Sequence, residues 1–431
     1  RRAPRAPAWL AAAAITLAAG PARGAAPPAA GPPVVLVETR PVESTLGNPA
    51  LPSPVDVWLE MIADARTRLD FEEFYLSTWP GEPTERILAA LGAAAARGVR
   101  VRLILDARMH RTYPRPADSL ARMPGFEVRL VDFGRIAGGI QHAKFFVADA
   151  GTVFLGSQNL DWRALEHIHE LGVRIRDPRV AAEYQRVFDM DWEAATPAGQ
   201  APDTTRAYRA AQVARPPGSI PYRIAQAPGD TLLLWPGFSP RRFIPDTTLW
   251  DRDLIVRLID GARHEVVAQV LTYGIAERGR GPRDDAIDAA LRRAAARGVA
   301  VRLIVSDWET GSPGLKDLQA LARVPGIEIK LSTVPEWSGG YIPFARVEHL
   351  KYAVADTILA WVGTSNWEPG YFHGTRNVSA TMRNRALAGE ARAVFEASWR
   401  APGAAALDPG ATYPARPHGE EAPAGKKKYG G

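Results

Sequence analysis

A polar motif that occurs twice constrains the fold of this chain more than any other feature. QHAKFFVADAGTVFLGSQN covers residues 141–159, and EHLKYAVADTILAWVGTSN covers residues 348–366. Five polar or glycine positions recur with one constant offset of 207 residues. The matched pairs are His142 and His349, Lys144 and Lys351, Asp149 and Asp356, Gly156 and Gly363, and Asn159 and Asn366. This regularity indicates a duplicated domain, in which neither copy alone forms a complete site.

Further segments repeat around the motif. AAAARGVRVRLILD (93–106) matches RAAARGVAVRLIVSD (293–307), and PGFEVRLV (124–131) matches PGIEIKLS (325–332). Hydrophobic patterning in the first half predicts alternating elements. The predicted strands are Leu69–Leu76, Val99–Leu105, Phe126–Val131, His142–Ala148 and Thr152–Gly156, and the predicted helices are Glu85–Arg97 and Val180–Trp192. We therefore expect an α/β fold of two duplicated α/β/α sandwich lobes, with mixed, mostly parallel sheets related by a pseudo-twofold axis and the active site at the lobe interface.

The composition sets the domain boundaries. We expect lobes at 34–195 and 231–401, a linker rich in Pro, Ala and Gly at 196–230, and a disordered tail at 402–431. Residues 1–24 combine a basic start, a short apolar run and small residues, which is the pattern of a signal peptide and predicts export from a bacterium, to the periplasm or the medium. A disordered leader is the alternative. No other segment predicts a membrane span.

Charge and cysteine content exclude some classes of function. The chain has no cysteine, so disulfides, cysteine metal sites and thiol nucleophiles are excluded. The formal charge of +6 suggests nucleic-acid binding, but residues 1–24 carry +4 of it and residues 402–431 carry +1. The remaining body is close to neutral, so net charge gives no support for a basic groove.

The motif residues suit a phosphate. On a strand, His142 and Lys144 point to the same face, and Asn159 returns from the next strand and turn. Lys supplies charge, Asn supplies an amide donor, and an imidazole can attack phosphorus or transfer a proton. If the halves pack about a twofold axis, two imidazoles face one phosphorus from opposite sides, which permits in-line displacement.

HxKxxxxD followed by GSxN or GTSN resembles the phospholipase D superfamily. GSQNLDWRALEHIHELGV, IPFARVEHLKYAVAD and GTSNWEPGYF are most similar to the branch of animal lysosomal 5′-exonucleases and bacterial phospholipase D-like proteins. The resemblance implies metal-independent, cofactor-free catalysis in two steps through a phosphohistidine. By position, His142 would be the nucleophile and His349 the acid/base.

The resemblance also assigns the supporting residues. Lys144, Lys351, Asn159 and Asn366 would hold phosphate oxygens. Asp149 and Asp356 complete the catalytic motifs, but their spacing of seven residues from the His favours a role in supporting strand ends. Glu170, eleven residues after Asn159, would orient one catalytic His; the equivalent position in the second half is Asn377, not an acid, so the partner of the other His stays unassigned.

Residues beside the motifs are candidates for substrate binding: Ser157, Ser365, Trp162, Trp367 and Tyr371. The aromatic members could stack on bases, form an apolar lip for acyl chains, or pack in the core. EHIHE (166–170) invites a metal interpretation, but we expect its two His to be structural or solvent-facing, and no metal site is predicted.

Three functions follow. The first is phosphodiester hydrolysis of single-stranded nucleic acid from the 5′ end. The second is phospholipase D or transphosphatidylase activity on glycerophospholipids, and the third is phosphate-ligand binding without turnover. Both half-sites lie in one chain, so a monomer suffices for activity, and the sequence does not set the oligomeric state.

Overall fold

The computed structural model describes residues 31–200, 208, 213, 215–216, 218–276 and 283–429. The predicted signal peptide at 1–24 lies outside these residues. Within the described ranges, no helix is both long and apolar enough to cross a membrane.

The first half alternates strands and helices, as predicted. Its strands are β1 (Val34–Thr39), β2 (Arg68–Glu73), β3 (Leu76–Ser77), β4 (Arg100–Asp106), β5 (Phe126–Val131), β6 (Phe145–Ala148), β7 (Thr152–Gly156), β8 (Leu160–Asp161), β9 (Glu170–Arg176) and β10 (Thr196–Pro197). Its helices are α1 (Pro54–Asp64), α2 (Pro83–Ala96), α3 (Ala107–Thr112), α4 (Pro114–Leu120), α5 (Phe133–Ile136), α6 (Trp162–Glu166) and α7 (Pro178–Ala194).

The second half repeats this order. Its strands are β11 (Tyr222–Ala227), β12 (Asp230–Ser239), β13 (Glu265–Val270), β14 (Ala300–Ser306), β15 (Ile327–Ser332), β16 (Tyr352–Ala355), β17 (Leu359–Gly363), β18 (Asn377–Arg383) and β19 (Ala404–Ala406). Its helices are α8 (Asp251–Gly261), α9 (Ala286–Ala296), α10 (Leu315–Ala322), α11 (Pro369–His373) and α12 (Arg385–Arg400), with short 3₁₀ turns at Arg241–Phe243, Thr247–Leu249 and Asp307–Gly311.

Each half forms one mixed sheet, which confirms the α/β class and the duplication. The strand orders are β1-β9-β7-β6-β2-β4-β5-β10 and β11-β12-β18-β17-β16-β13-β14-β15-β19. Only β2-β4-β5 and β13-β14-β15 pair in parallel among the described strands of these two sheets. Antiparallel pairs therefore outnumber the parallel pairs that the sequence favoured, because each motif strand turns back through a hairpin.

A continuous apolar core joins the halves. It runs from β7, β9 and α7 of the first lobe into the strands and α12 of the second, while a separate core lies where α1 and α2 cover the first sheet. Across the interface, the Tyr184 hydroxyl of α7 donates a hydrogen bond of 2.7 Å to the Ser379 carbonyl of β18. This shared core fixes the two motifs relative to each other.

Two boundary predictions need correction. The predicted linker 196–230 holds β10 at its start and β11 at its end, because these residues extend the edges of both sheets. The predicted disordered tail is wrong for its described part. Residues 404–406 form β19 against β15, and the main chain of Tyr341 exchanges hydrogen bonds with Lys427 and Tyr429. The low apolar content that suggested disorder is offset by this backbone pairing.

Candidate active site

Four of the backbone hydrogen bonds between the two lobes are arranged symmetrically around the motifs. His142 N donates to Arg376 O at 3.0 Å, and Arg376 N donates to Ile140 O at 2.9 Å. In the other half, His349 N donates to His169 O at 2.9 Å, and His169 N donates to Val347 O at 3.0 Å. His169 and Arg376 are themselves 207 residues apart. Each motif His is thus held by the opposite lobe, as a twofold arrangement requires.

The catalytic segments differ locally from the prediction. We expected His142 and Lys144 within a strand, but β6 begins at Phe145, and β16 begins likewise at Tyr352. The backbone before each strand leaves its own sheet to bond the other lobe. The motif residues therefore lie at the interface rather than on a sheet face.

Each imidazole is oriented by a side chain from the opposite lobe. His349 Nδ1 lies 2.9 and 2.8 Å from the two carboxylate oxygens of Glu170. His142 Nδ1 lies 3.1 Å from Asn377 Oδ1. Glu170 thus contacts one motif His, and its role in catalysis stays a prediction. Asn377 is the partner of the other His, and the offset of 207 applied to Glu170 would have found it.

Both rings face one cleft of about 410 Å³, and Asn159 lines it beside them. The side chain of His142 is 4 % exposed, and that of His349 is 12 % exposed. Burial first, then the charges of Lys144 and Lys351, holds the pKa of both imidazoles well below its usual range. Both rings are therefore neutral in the free enzyme at neutral pH.

The two motif lysines are fully buried. Lys144 Nζ donates to the carbonyl of His142 at 2.7 Å, and Lys351 Nζ donates to the carbonyl of His349. Burial lowers the pKa of Lys351 to about 7, and burial together with the charge of Lys351 lowers that of Lys144. An anionic ligand between the lobes would favour the charged form of both lysines and so offset the cost of burying their charge.

The motif asparagines are also buried and available. Oδ1 of Asn159 and Oδ1 of Asn366 have no hydrogen-bond partner among the described residues. A buried amide oxygen without a partner is costly, and a ligand that donates a hydrogen bond to it would offset the cost. A phosphate oxygen only accepts hydrogen bonds, so it would have to be held through Nδ2 of these residues, and their role in phosphate binding stays a prediction.

Sequence reasoning missed two neighbours of Lys144. Glu73, at the end of β2, is fully buried, and neither of its carboxylate oxygens has a hydrogen-bond partner among the described residues. Burial raises the pKa of Glu73, although the charge of Lys144 opposes this. The Phe74 ring lies 5.0 Å from Lys144 Nζ and 5.1 Å from the His142 ring. Neither residue has a distinctive spacing in the sequence that could have revealed it.

The motif aspartates lie at hairpin turns, outside the catalytic cleft. The turn between β6 and β7 has three residues, and two of them, Asp149 with φ of 49° and Ala150 with φ of 56°, are in the left-handed region. The Asp149 carboxylate accepts the backbone N–H groups of Arg66, Thr67 and Arg68 at 2.7 to 2.9 Å. Asp356 repeats this arrangement in the second lobe. Their inclusion among the catalytic residues is therefore corrected to support of the strand ends.

The motif glycines permit close approach of neighbouring strands. A Cβ added to Gly156 would lie 2.5 Å from Gly172 Cα, and a Cβ on Gly363 would lie 2.7 Å from Ser379 Cβ. No side chain fits at either position. The glycines let β7 and β17 carry the asparagines to the interface.

Most of the predicted substrate-binding residues serve the framework. Ser157 bonds to the backbone of Leu171, and Ser365 Oγ donates to buried Asp251 at 2.6 Å. Trp367 is 2 % exposed and belongs to the core. Trp162 packs in an aromatic cluster with Trp79, His167 and Tyr429. Because these contacts occupy their side chains, the first four candidates do not line the cleft.

Tyr371 is the exception among the aromatic candidates. Its ring lies 5.1 Å from the ring of His142 in an edge arrangement, and its carbonyl accepts a hydrogen bond from Asn377 Nδ2 at 2.8 Å. The cleft wall is formed instead by rings that the sequence analysis did not select: Phe74, Tyr75, Tyr113, Trp308 and Phe344. These rings come from four different segments of the chain, which explains why no local sequence pattern predicted them.

The two His of EHIHE have different surroundings. His169 is fully buried between Glu348, at 2.5 Å, and Glu38, at 2.8 Å, so it joins the lobes. Burial opposes its charge, but Glu348 and Glu38 together raise the pKa of His169 to about 10. His167 is buried among aromatic rings and lies near Glu82 and Glu166. Neither His faces solvent.

The arrangement can perform nucleophilic substitution at phosphorus. Two neutral imidazoles and the amide of Asn159 line one cleft, and the two motif lysines are near enough for their charges to act on both rings. An anionic phosphodiester would add negative charge and so favour protonation of one ring, which can then act as an acid while the other attacks. The site is thus chemically suited to acid–base and nucleophilic catalysis on a phosphate.

Comparisons with known proteins agree with this geometry. The family described as "Cardiolipin synthase, PLD-like domain" matches residues 58–192 and 255–399, one match in each half. The 5′-3′ exonuclease PLD3 of Rattus norvegicus is 31% identical, over 87% of this chain and 80% of its own length. Phospholipase D Z of Dictyostelium discoideum is 29% identical, over 80% of this chain and 85% of its own length.

A solved structure shares the fold. The phosphatidylserine synthase of Haemophilus influenzae superposes with a TM-score of 0.57 at 14% identity, covering 82% of this chain and 85% of that protein. The duplicated sheets, the paired motifs and the family matches in both halves lead to one conclusion. The chain belongs to the phospholipase D superfamily of phosphodiester hydrolases.

Proposed function

We propose that this protein hydrolyses single-stranded nucleic acid, releasing nucleotides from the 5′ end through a phosphohistidine intermediate. The observation that carries the proposal is the shared cleft, in which His142 and His349 lie beside aromatic rings. Two buried lysines are near enough for their charges to act on both imidazoles. The lysines suit the phosphodiester, and the rings suit an unstacked base. The 5′ polarity and the nucleic-acid substrate are supported by the similarity to 5′-3′ exonucleases.

The first chemical step transfers the phosphoryl group to the enzyme. Nε2 of His142 attacks phosphorus while His349 gives its proton to the leaving oxygen, so one P–O bond breaks as one P–N bond forms. Lys144, Lys351 and the two motif asparagines hold the non-bridging oxygens. In the second step, His349 removes a proton from water, the hydroxide attacks phosphorus, and the P–N bond breaks.

The partners of the two imidazoles support this division of roles. An acid/base must pass through the imidazolium form, which the Glu170 carboxylate stabilises next to His349. Asn377 offers only an amide oxygen, which holds a proton on Nδ1 of His142 and leaves Nε2 free to attack. His142 as nucleophile and His349 as acid/base are therefore the assignment we propose.

The shape of the cleft favours a nucleotide over a bilayer lipid. A volume of about 410 Å³ accommodates a ligand of small-molecule size. Among the large hydrophobic side chains that the structure describes, Trp79 and Phe344 are exposed, at 40 % and 36 %. Two isolated side chains do not form the extended apolar surface expected of a protein that works at a membrane.

Phospholipid cleavage is the second candidate. Met109, Ile168 and Val347 add apolar surface to the cleft, and Phe344 is exposed at it, which suits an acyl chain. The relative from Dictyostelium discoideum carries the name phospholipase D Z. The phosphate chemistry would be unchanged, and only the group that occupies the aromatic wall would differ.

A substrate panel tests the proposal. The purified protein is incubated with 5′-hydroxyl single-stranded DNA and RNA, with the 5′-phosphorylated strands, and with phosphatidylcholine vesicles, all with EDTA. We expect stepwise release of nucleotides from the 5′ end, lost in His142→Ala and His349→Ala but kept in the control His264→Ala, whose side chain is exposed. Choline release without nucleotide release would establish the lipid alternative. Failure to cleave any of these substrates would contradict both.

A further inference from the structure

A group of three ligand-type side chains lies outside the catalytic cleft. One oxygen each from Glu82 and Glu166 and one ring nitrogen of His167 lie within 4.8 Å of one another. Glu82 precedes the first residue of α2, Glu166 ends α6, and His167 follows it. Two segments far apart in sequence therefore converge on one point.

The imidazole of His167 is buried without a partner for one nitrogen. The residue is 1 % exposed, and its Nδ1 has no hydrogen-bond partner among the described residues. The rings of Trp162 and Trp337 lie 5.6 and 4.7 Å from it and fix its orientation. A buried imidazole nitrogen without a hydrogen-bond partner is available as a metal ligand.

The two carboxylates lack a compensating cation. Glu82 is 8 % exposed and accepts a hydrogen bond of 2.7 Å from the Tyr429 hydroxyl. Neither glutamate forms an ion pair with a Lys or Arg in the described part of the chain. Two neighbouring carboxylates beside a neutral imidazole are stable when a divalent cation joins them.

We propose that Glu82, Glu166 and His167 bind one divalent transition-metal ion, with Zn²⁺ the expected occupant. One imidazole nitrogen and two carboxylate oxygens are ligands that Zn²⁺ accepts. In tetrahedral coordination, ligand atoms about 2.1 Å from zinc lie about 3.4 Å apart, so this group, whose atoms lie within 4.8 Å of one another, would contract by about 1 Å onto the ion. The Tyr429 hydroxyl then fixes the carboxylate of Glu82 from outside the ligand set.

The ion would be structural. None of its three ligands lines the catalytic cleft, so it takes no part in phosphoryl transfer. It ties the start of α2 to the end of α6 and, through Tyr429, to the C-terminal segment. Glu170, which orients His349, lies three residues beyond His167, so the ion would also steady the segment that carries it.

The test uses the untagged full-length protein, stripped with a chelator and titrated with ZnCl₂ by calorimetry. We expect one high-affinity site per chain, a higher melting temperature with zinc, and a stoichiometric metal content after dialysis. Glu166→Gln is half-buried and nearly isosteric, so the variant is expected to fold, lose at least tenfold in zinc affinity and lose the zinc-dependent rise in melting temperature. His167→Gln should behave in the same way.

Matched variants decide between sites. His264→Gln removes an exposed imidazole and should leave zinc binding unchanged. His349→Gln removes one of the imidazoles in the cleft and therefore shows whether zinc binds there instead. Absence of a stoichiometric site, binding that Glu166→Gln leaves intact, or binding that only His349→Gln removes would each overturn the proposal. Titrations with Mn²⁺ and Ca²⁺ measure selectivity, and a preference for Ca²⁺ over Zn²⁺ would contradict the assigned occupant.

Discussion

Glu170 of the first lobe holds His349 of the second, with 2.8 Å between Oε2 and Nδ1. In the equivalent pair, Asn377 of the second lobe contacts His142 of the first, with 3.1 Å between Oδ1 and Nδ1. The positions are conserved between the two halves of the chain, but the chemistry changes from carboxylate to amide. A symmetric fold thereby supplies two imidazoles in different electrostatic surroundings, as a reaction with one nucleophile and one acid requires.

Replacing Glu170 with Gln should impair catalysis more than binding. The amide keeps the size of the side chain but no longer stabilises the imidazolium form of His349, so we expect kcat to fall about 10²-fold or more with KM changed little. Steady-state kinetics on a 5′-hydroxyl oligonucleotide measure this. The control is Glu328→Gln, on an exposed position of β15. Equal kinetics for both variants would contradict the orienting role of Glu170.

The converse change, Asn377→Asp, should shift the pH profile. A carboxylate beside His142 favours its protonated form and should raise its pKa by about 1 to 3 units. The nucleophile is then protonated over a wider acidic range, so the acid limb of kcat/KM moves to higher pH. The pH dependence of both enzymes measures the shift. An acid limb that stays in place, in a variant that melts like the wild type, would argue against His142 as the nucleophile.

Lys351 should set the alkaline limb of activity. Its pKa is about 7 because of burial, so its ammonium is charged below that pH and loses its proton as pH rises through it. We expect KM for the phosphodiester to increase as pH rises above 7. Bound substrate favours the charged form of Lys351 and so makes this increase smaller. In Lys351→Arg the cation persists at all pH values tested, so the limb should move upward. A profile that Lys351→Arg leaves unchanged would assign the limb to another group.

The duplication explains how much of the site could be predicted from the sequence. A constant offset identified both His, both Lys and both Asn, because a pseudo-twofold axis must bring equivalent residues to one interface. The same offset maps Glu170 onto Asn377, but searching for an acid hid the amide that contacts the other imidazole. The constant offset between the two halves therefore predicted site positions better than residue type did.

Other features could not be predicted because they arise from tertiary contacts. The rings of Tyr113 and Trp308 come from loops with no repeated pattern and meet only in the folded chain. Ser157 and Ser365 look available beside the motifs, but β9 and Asp251 occupy their hydroxyls. The tail is rich in Pro, Ala and Gly, but its backbone pairs with Tyr341. Local composition carries no information about such partners.

The buried His169 should contribute strongly to stability. His169→Gln leaves Glu38 and Glu348 buried without their cation, so we expect a loss of about 3 to 5 kcal/mol in the free energy of unfolding. The folded pKa of about 10 exceeds the ordinary value of 6.5, so the stabilisation is full below pH 6.5 and declines as pH rises toward 10. Urea unfolding at several pH values, with His264→Gln as control, measures both. A gap between variant and wild type that widens with pH would contradict the charged pairing.

The motif aspartates should affect stability and leave catalysis unchanged. Asp149→Asn tolerates the positive φ of the turn but offers one acceptor oxygen where the carboxylate serves three backbone N–H groups. We expect a loss of about 1 to 2 kcal/mol in unfolding free energy and kcat within about twofold of the wild type. Asp356→Asn should behave alike, because it caps the equivalent turn. Urea midpoints and kcat measured on the same preparations separate the effects. A hundredfold fall in kcat at unchanged stability would show that the aspartates take part in catalysis. We do not expect this result, because their carboxylates already accept hydrogen bonds from backbone N–H groups outside the cleft.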